Sequence, residues 1–214
     1  MRPKPPRRTR ERILETALAL FNQMGEPAVA ATSIAFEMGI SPGNLYYHYR
    51  SKEEIVEDLF AAFRREIEAT LAAPEKRAAH AEDIWLFLHL VFEAIWKYRF
   101  LYRDINDLVA RYRTVEVQFR RILAHKLRVA EQILAGLVKA GQLTARPDEI
   151  ATLAQNMVLV ATYWMSFEFA RDPRVPQDGK TLARGAFHVM SLAAPYLAPR
   201  ERALFDDLAK RYIE

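Results

Sequence analysis

Apolar residues recur along this chain mostly at three- and four-residue intervals, and runs that alternate at every second position are few. That pattern predicts helices almost throughout. Ile13, Ala17, Leu20, Phe21 and Met24 fall on one stripe, which predicts a first helix over about Thr9–Met24 with those residues buried. Gly25 and Pro27 stop it. A shorter helix is predicted over about Thr32–Met38, with Ile34, Ala35 and Met38 inward and Gly39 at its end. Ser41 and Pro42 read as the N-cap and first residue of a third helix that lasts to about Tyr49. Ser51 and Glu54 have capping-box spacing and open a long fourth helix that ends near Pro74. Further helices are predicted over roughly 81–97, 101–110, 114–140, 148–170, 179–195 and 200–212. The first eight residues, with Pro3, Pro5 and Pro6 among basic side chains, are expected to be irregular. The fold class is therefore all-α. A three-helix domain with a basic arm occupies 1–52, and a helical bundle domain occupies 53–214, with the fourth helix joining them.

Composition narrows the picture. The 214 residues are 51% hydrophobic and 27% charged, as in ordinary globular proteins. The absence of cysteine excludes disulfides, thiolate metal sites and cysteine nucleophiles, and fits a reducing cytoplasm. The basic N-terminus has no apolar segment of a secretory signal behind it. The longest uncharged run, Ile150–Phe167, is interrupted by Gln155 and Asn156 and is shorter than the ~20 apolar residues a membrane span needs. A buried helix and a cytoplasmic protein with no membrane partner are expected.

Charge is unevenly divided. The net is +4, and residues 1–52 hold 8 basic and 4 acidic residues, so the remaining chain sums to zero. An excess confined to the first quarter points to a polyanionic partner for that quarter.

The third helix says which one. At 100° per residue, Leu45 and Tyr49 share one side, while Asn44, Tyr47 and His48 share the opposite side and Tyr46 lies at the edge of the first. An outward amide, phenol and imidazole suit phosphate oxygens and base edges. A second helix, a tight glycine turn and a short polar third helix form the helix-turn-helix arrangement. Its leading residues, Pro42 and Gly43, let backbone approach a duplex, and Lys52 stands at the start of the fourth helix, where ammonium and free N–H groups can hold a phosphate.

The segments "ILETALALFNQMG" and "IAFEMGISPGNLYYHYRSKEE" resemble the TetR family of bacterial transcriptional regulators. The resemblance implies a homodimer of all-helical subunits that binds a palindromic double-stranded DNA operator through the N-terminal domain and an effector through the other. On that family's motif Asn44, Tyr46, Tyr47, His48 and Lys52 match the DNA-contacting positions, and Thr32 and Ser33 match the start of the second helix. Ser41, Pro42 and Gly43 complete the candidate DNA-binding set. Ala30 departs from the usual capping Thr, which points to Thr32 as the cap. "WLFLHLVFEAIWKYRFLYRDINDL" also resembles the PhaD-type regulators of polyhydroxyalkanoate metabolism, which implies an acyl or fatty-acid-type effector.

In the bundle, Trp85, His89, Phe92 and Trp96 share a helical stripe. With Tyr102, Tyr112, Phe119, Tyr163 and Phe167 they form the candidate ligand-binding set for a small apolar or acyl molecule. Arg99, Arg103, Arg111 and Arg113 cluster between bundle helices and are expected to be solvated, the alternative being that one of them meets a carboxylate or phosphate of an acyl ligand. The predicted helix 148–170 is apolar nearly all round, as expected if one face meets the core and the other a second subunit. No catalytic motif, metal set or cofactor loop is recognised. His89 and Glu93 are spaced as two metal ligands, but no third stands near them in sequence. A helical lipid- or small-molecule-binding protein with no DNA role is the alternative reading. It leaves the basic arm and the outward Tyr47 and His48 without a purpose.

Overall fold

The computed structural model describes residues 6–72, 81–173 and 179–213. These form eleven α-helices and a 3-10 turn at Ala194–Tyr196, with no strand among the described residues. The helices are α1 Pro6–Met24, α2 Ala31–Glu37, α3 Pro42–His48, α4 Lys52–Leu71, α5 Ala81–Lys97, α6 Arg99–Arg103, α7 Ile105–Arg111, α8 Arg113–Lys139, α9 Pro147–Arg171, α10 Gly179–Ala193 and α11 Pro199–Ile213. The all-α class is as the periodicity predicts. One compact unit comprises 1–65 and 98–118; the other comprises 66–97 and 119–214. Two of the three boundaries thus fall inside α4 and α8 and the third between α5 and α6, and the first unit recruits α6 and α7 besides the segment expected from linear order.

In the first unit Ile13, Ala17 and Phe21 of α1 are fully buried, as are Ile34 and Ala35 of α2, Leu45 and Tyr49, and Ile55, Val56 and Phe63 of α4. α6 and α7 extend this core. Phe100 lies 5.2 Å from Phe21 between ring centroids, and Phe63 lies 5.6 Å from both Tyr98 and Tyr102. Several boundaries differ from expectation. α1 already includes Pro6–Arg8, ahead of the expected start at Thr9. Met24, expected in the buried stripe, is exposed because the chain turns immediately after it. The end of α4 expected near Pro74 lies outside the described residues. The single helix expected over 101–110 is broken at Asp104, whose carboxylate accepts from the Glu26 N–H at 3.2 Å.

Gly25 requires glycine on two grounds. Its φ is +91°, and a Cβ there would come 2.7 Å from Arg103 Nη2. That guanidinium donates to the Phe21 carbonyl at 3.1 Å, closing the C-terminal end of α1.

In the second unit α10 packs along α9 and α5. Gly185 makes the approach possible, since a Cβ there would strike Phe92 and stand 2.7 Å from Trp164 Cδ1. Trp164 Nε1 donates to the Thr181 carbonyl at 2.8 Å. α9 buries Leu153, Ala154, Met157, Ala161, Trp164 and Met165, while Gln155, Leu159, Tyr163 and Phe167 lie exposed. Those four are spaced by four residues and form one outward stripe.

Candidate nucleic-acid interface and ligand cavity

The outer face of the first unit follows from how α3 is fixed. Ser41 Oγ accepts the Asn44 N–H at 3.2 Å, and Pro42 takes the first helical position. Leu45 and Tyr49 anchor the inner side. The Tyr49 hydroxyl donates to Asp58 Oδ2 at 2.9 Å and accepts from Arg10 Nε at 3.1 Å, with the guanidinium 4.6 Å above the ring. Burial pushes the Tyr49 phenol up to about 12; Arg10 opposes that shift and Asp58 adds to it. With the inner side so fixed, the helical period turns Asn44 and Tyr47 outward. Tyr47 is 82% exposed, Tyr46 45%, and His48 is half-buried with its ring edge-on to Tyr47 at 5.2 Å. Thr32, Ser33, Ser41, Pro42, Gly43 and Asn44 are all exposed.

Ala30, rather than Thr32, stands at the N-cap of α2, and no side chain caps the helix. Thr32 is therefore an exposed first-turn residue. Ser51 accepts from the Glu54 N–H at 3.4 Å, but the Glu54 carboxylate reaches past Ser51 to the Arg50 N–H at 2.8 Å.

Lys52 is the main departure from the sequence reading. Its ammonium donates to the Glu26 and Val29 carbonyls, each at 3.0 Å, and lies 2.9 Å from Glu26 Oε1. Three acceptors match its three donors. The side chain ties the loop before α2 to the start of α4 rather than standing ready for a phosphate. Arg10 is likewise engaged, 2.8 Å from Asp58 Oδ2. Arg8, Arg12 and Arg50 remain as exposed basic residues of this segment.

Glu26, fully buried, is the centre of this arrangement. Besides Lys52 it accepts from Arg111 Nη2 and from the Tyr112 hydroxyl at 2.7 Å. Burial alone raises its carboxyl pKa, but the bonds from Arg111, Lys52 and Tyr112 outweigh it and hold the group below its ordinary 4.5. Sequence patterning had no means to find this hub, since its members lie up to 86 positions apart.

Phe36 was also missed. It is 85% exposed on α2. The signal was available, because with Ile34 inward a residue two positions later points to the opposite side.

The second unit holds a partly open cavity of about 70 Å³. A single water needs roughly 10–15 Å³ on that scale. Its walls come from α5 (Trp85, Leu88, Val91), α8 (Lys126, Val129, Ile133), α9 (Met157, Ala161), α10 (Val189, Met190) and α11 (Leu204, Phe205), among others. Of the nine residues expected to bind ligand, Trp85 is part of the wall. His89, Phe92, Trp96 and Phe119 belong to the same unit without lining the cavity. Tyr102 and Tyr112 belong to the first unit, where Tyr102 packs on Phe63 and Tyr112 binds Glu26. Tyr163 and Phe167 lie on the exposed stripe of α9. The physical reason is common to these departures: an aromatic stripe marks a buried or amphipathic face but does not say which space that face meets. The four clustered arginines belong to the first unit. Arg103 pairs with Asp104, Arg111 with Glu26 and Asp107, and Arg113 with Glu116.

Among the described residues no helix is long and apolar enough to cross a membrane. A family model described as "Bacterial regulatory proteins, tetR family" matches residues 13–59, and a TetR model described as "Bacterial transcriptional repressor" matches residues 62–205. The chain is 33% identical to a TetR-family transcriptional regulator from Marinobacter aquaeolei VT8, whose crystal structure superposes with a TM-score of 0.85 over 95% of this chain and 98% of that one. The ketosteroid transcriptional regulator KstR2 of Mycobacterium tuberculosis shares the fold, with a TM-score of 0.63 and 22% identity over 89% of this chain and 95% of that one. The HTH-type transcriptional repressor KstR2 of Mycolicibacterium smegmatis is 36% identical over 61 residues, 28% of this chain and 30% of that protein's length.

Proposed function

This chain belongs to the TetR family of bacterial transcriptional regulators, and from that premise we propose that it grips a palindromic DNA operator as a cytoplasmic homodimer whose affinity is set by a small apolar or acyl effector in the cavity of the second unit. Asn44, Tyr46, Tyr47 and His48 meet the duplex from α3. Thr32 and Ser33 meet its backbone from the start of α2, and Ser41, Pro42 and Gly43 give the close approach. Lys52 supports that surface from behind by holding the loop 26–29. The two α3 helices of a dimer then lie about 34–36 Å apart, one helical turn of DNA. The outward stripe Gln155, Leu159, Tyr163 and Phe167 on α9 meets its counterpart in the second subunit. The reading asks for binding and switching, with no residue in a catalytic role.

The observation that carries the DNA reading is the division of α3: Leu45 and Tyr49 wholly buried, Tyr47 82% exposed on the other side. A phenol held outward by a seven-residue helix has no part in the core of its own unit. The apolar lining of the cavity supports the effector reading. The test is selection of operator sequences from random duplex DNA, followed by fluorescence anisotropy with wild type and Tyr47→Ala. Loss of the contact should cost about 1–3 kcal/mol in binding while the melting temperature stays unchanged. Equal binding by the variant, or no enriched sequence at all, refutes the assignment; the second outcome is what a small-molecule binder with no DNA role gives.

A further inference from the structure

The cavity of the second unit is apolar on nearly every side, yet one of its lining residues is Lys126, only 4% exposed. Lys126 sits mid-way along α8, in register with the buried Phe119, Ile122, Val129, Ile133 and Leu137 at three- and four-residue steps. A leucine or methionine would fill that position without desolvating a charge. Desolvation pulls the Lys126 ammonium down to about 7 from an ordinary 10.5. A buried lysine on the wall of an apolar cavity is a functional-site candidate.

We propose that the cavity takes an aliphatic monocarboxylate, its carboxylate against the Lys126 ammonium and its chain among Leu88, Val129, Ile133, Met157 and Met190. This rests on the reading of the cavity as the effector site. The charge count favours one negative charge. Lysine is a compact point charge, and it is the one cation among the described lining residues, whereas a phosphomonoester brings nearly two charges and is better met by the arginine fork. Glu201, the other ionisable residue among the described lining, is half-buried at the first turn of α11 and so retains water. It disfavours a second anion, which again limits the ligand to a single acidic end.

The experiment uses the full chain and two probe series: octanoate, decanoate and dodecanoate, beside octanol, decanol and dodecanol. Binding is measured by calorimetry and by the shift in melting temperature, for wild type, Lys126→Met and Glu201→Gln. Wild type should prefer each acid over its alcohol by roughly ten- to a hundredfold, the value of a charge-assisted bond. In Lys126→Met that preference should collapse to about equal affinity, with alcohol binding retained, because methionine keeps the apolar volume. Glu201→Gln should bind the acids at least as tightly as wild type. Acids and alcohols binding wild type alike, or Lys126→Met keeping the preference, overturns the head-group assignment while leaving the cavity as an effector site. Failure of every acid and alcohol to bind wild type overturns both. The Tyr47→Ala binding test stands apart from all these outcomes.

Discussion

Replacing Glu26 by glutamine removes the one negative charge on which Lys52 and Arg111 converge. Breaking a fully buried ion pair from one side costs about 3–5 kcal/mol. Here both cations keep some water, with side-chain exposures of 24% and 38%, so part of the loss is recovered by solvation. The expected destabilisation of the first unit is therefore about 2–3 kcal/mol, a large share of the ~5–15 kcal/mol that holds a typical domain together. The readout must be local. Trp85, Trp96 and Trp164 account for all three tryptophans and all lie in the second unit, so their fluorescence reports the other half of the protein and serves as the control. Amide hydrogen exchange over residues 10–59 and 98–112 reports the first. Exchange should quicken about 30- to 150-fold in the slowest amides there, with the tryptophan transition in urea unmoved. Acid should do the same to wild type. The Glu26 carboxyl titrates below 4.5 when folded, so its contribution is complete above that value and fades as pH falls through the lower, folded value. The glutamine variant has no such term. Unchanged protection in Glu26→Gln, or equal acid sensitivity of these amides in both proteins, refutes the hub.

Other outcomes follow from the same packing. Tyr49→Phe keeps the ring but frees Asp58 and Arg10 from the hydroxyl; both are partly solvated, so urea denaturation followed by exchange in the first unit should show a loss of about 0.5–1.5 kcal/mol. Gly185→Ala must push Phe92 or Trp164 aside and should lower the urea midpoint read from tryptophan emission, by about 1–3 kcal/mol in stability. Between pH 7 and 10 the unfolded chain holds a proton on Lys126 that the folded chain has released, so wild-type stability should gain on Lys126→Met by on the order of a few kcal/mol as pH rises through that window, measured by urea titration at each pH. Leu159→Glu with Phe167→Glu should convert a dimer to monomers in native mass spectrometry while far-ultraviolet dichroism is kept; a dimer that survives both charges refutes the role of that stripe.

The fold was largely legible because its elements are punctuated by local chemistry. Ser41 and Pro42 start α3, and Gly25 and Gly39 end their helices, through interactions spanning four residues or fewer. The side assignment of α3 was legible for the same reason, since Leu45 and Tyr49 are a single turn apart. What escaped depends on separation along the chain. Lys52 looks like a phosphate ligand until Glu26 and Val29, more than twenty positions earlier, are seen to surround it. Asp104 splits a helix because Glu26 and Arg103 draw on its carboxylate. Tyr102 and Tyr112 look like ligand residues in the sequence because aromatic density says nothing about which of two cores a ring joins. Lys126 is a different case. A lone charge within an otherwise apolar three-four stripe is visible in the letters, but aromatic and arginine patterns do not point to it.

Two buried side chains and one hydroxyl cap hold α3 in place, and neither of the two anchors belongs to its outer surface. Positions 43, 44, 46, 47 and 48 thus form an exchangeable cassette. A library that rewrites those five letters while keeping Ser41, Leu45 and Tyr49 would yield proteins redirected to new sequences from an unaltered scaffold.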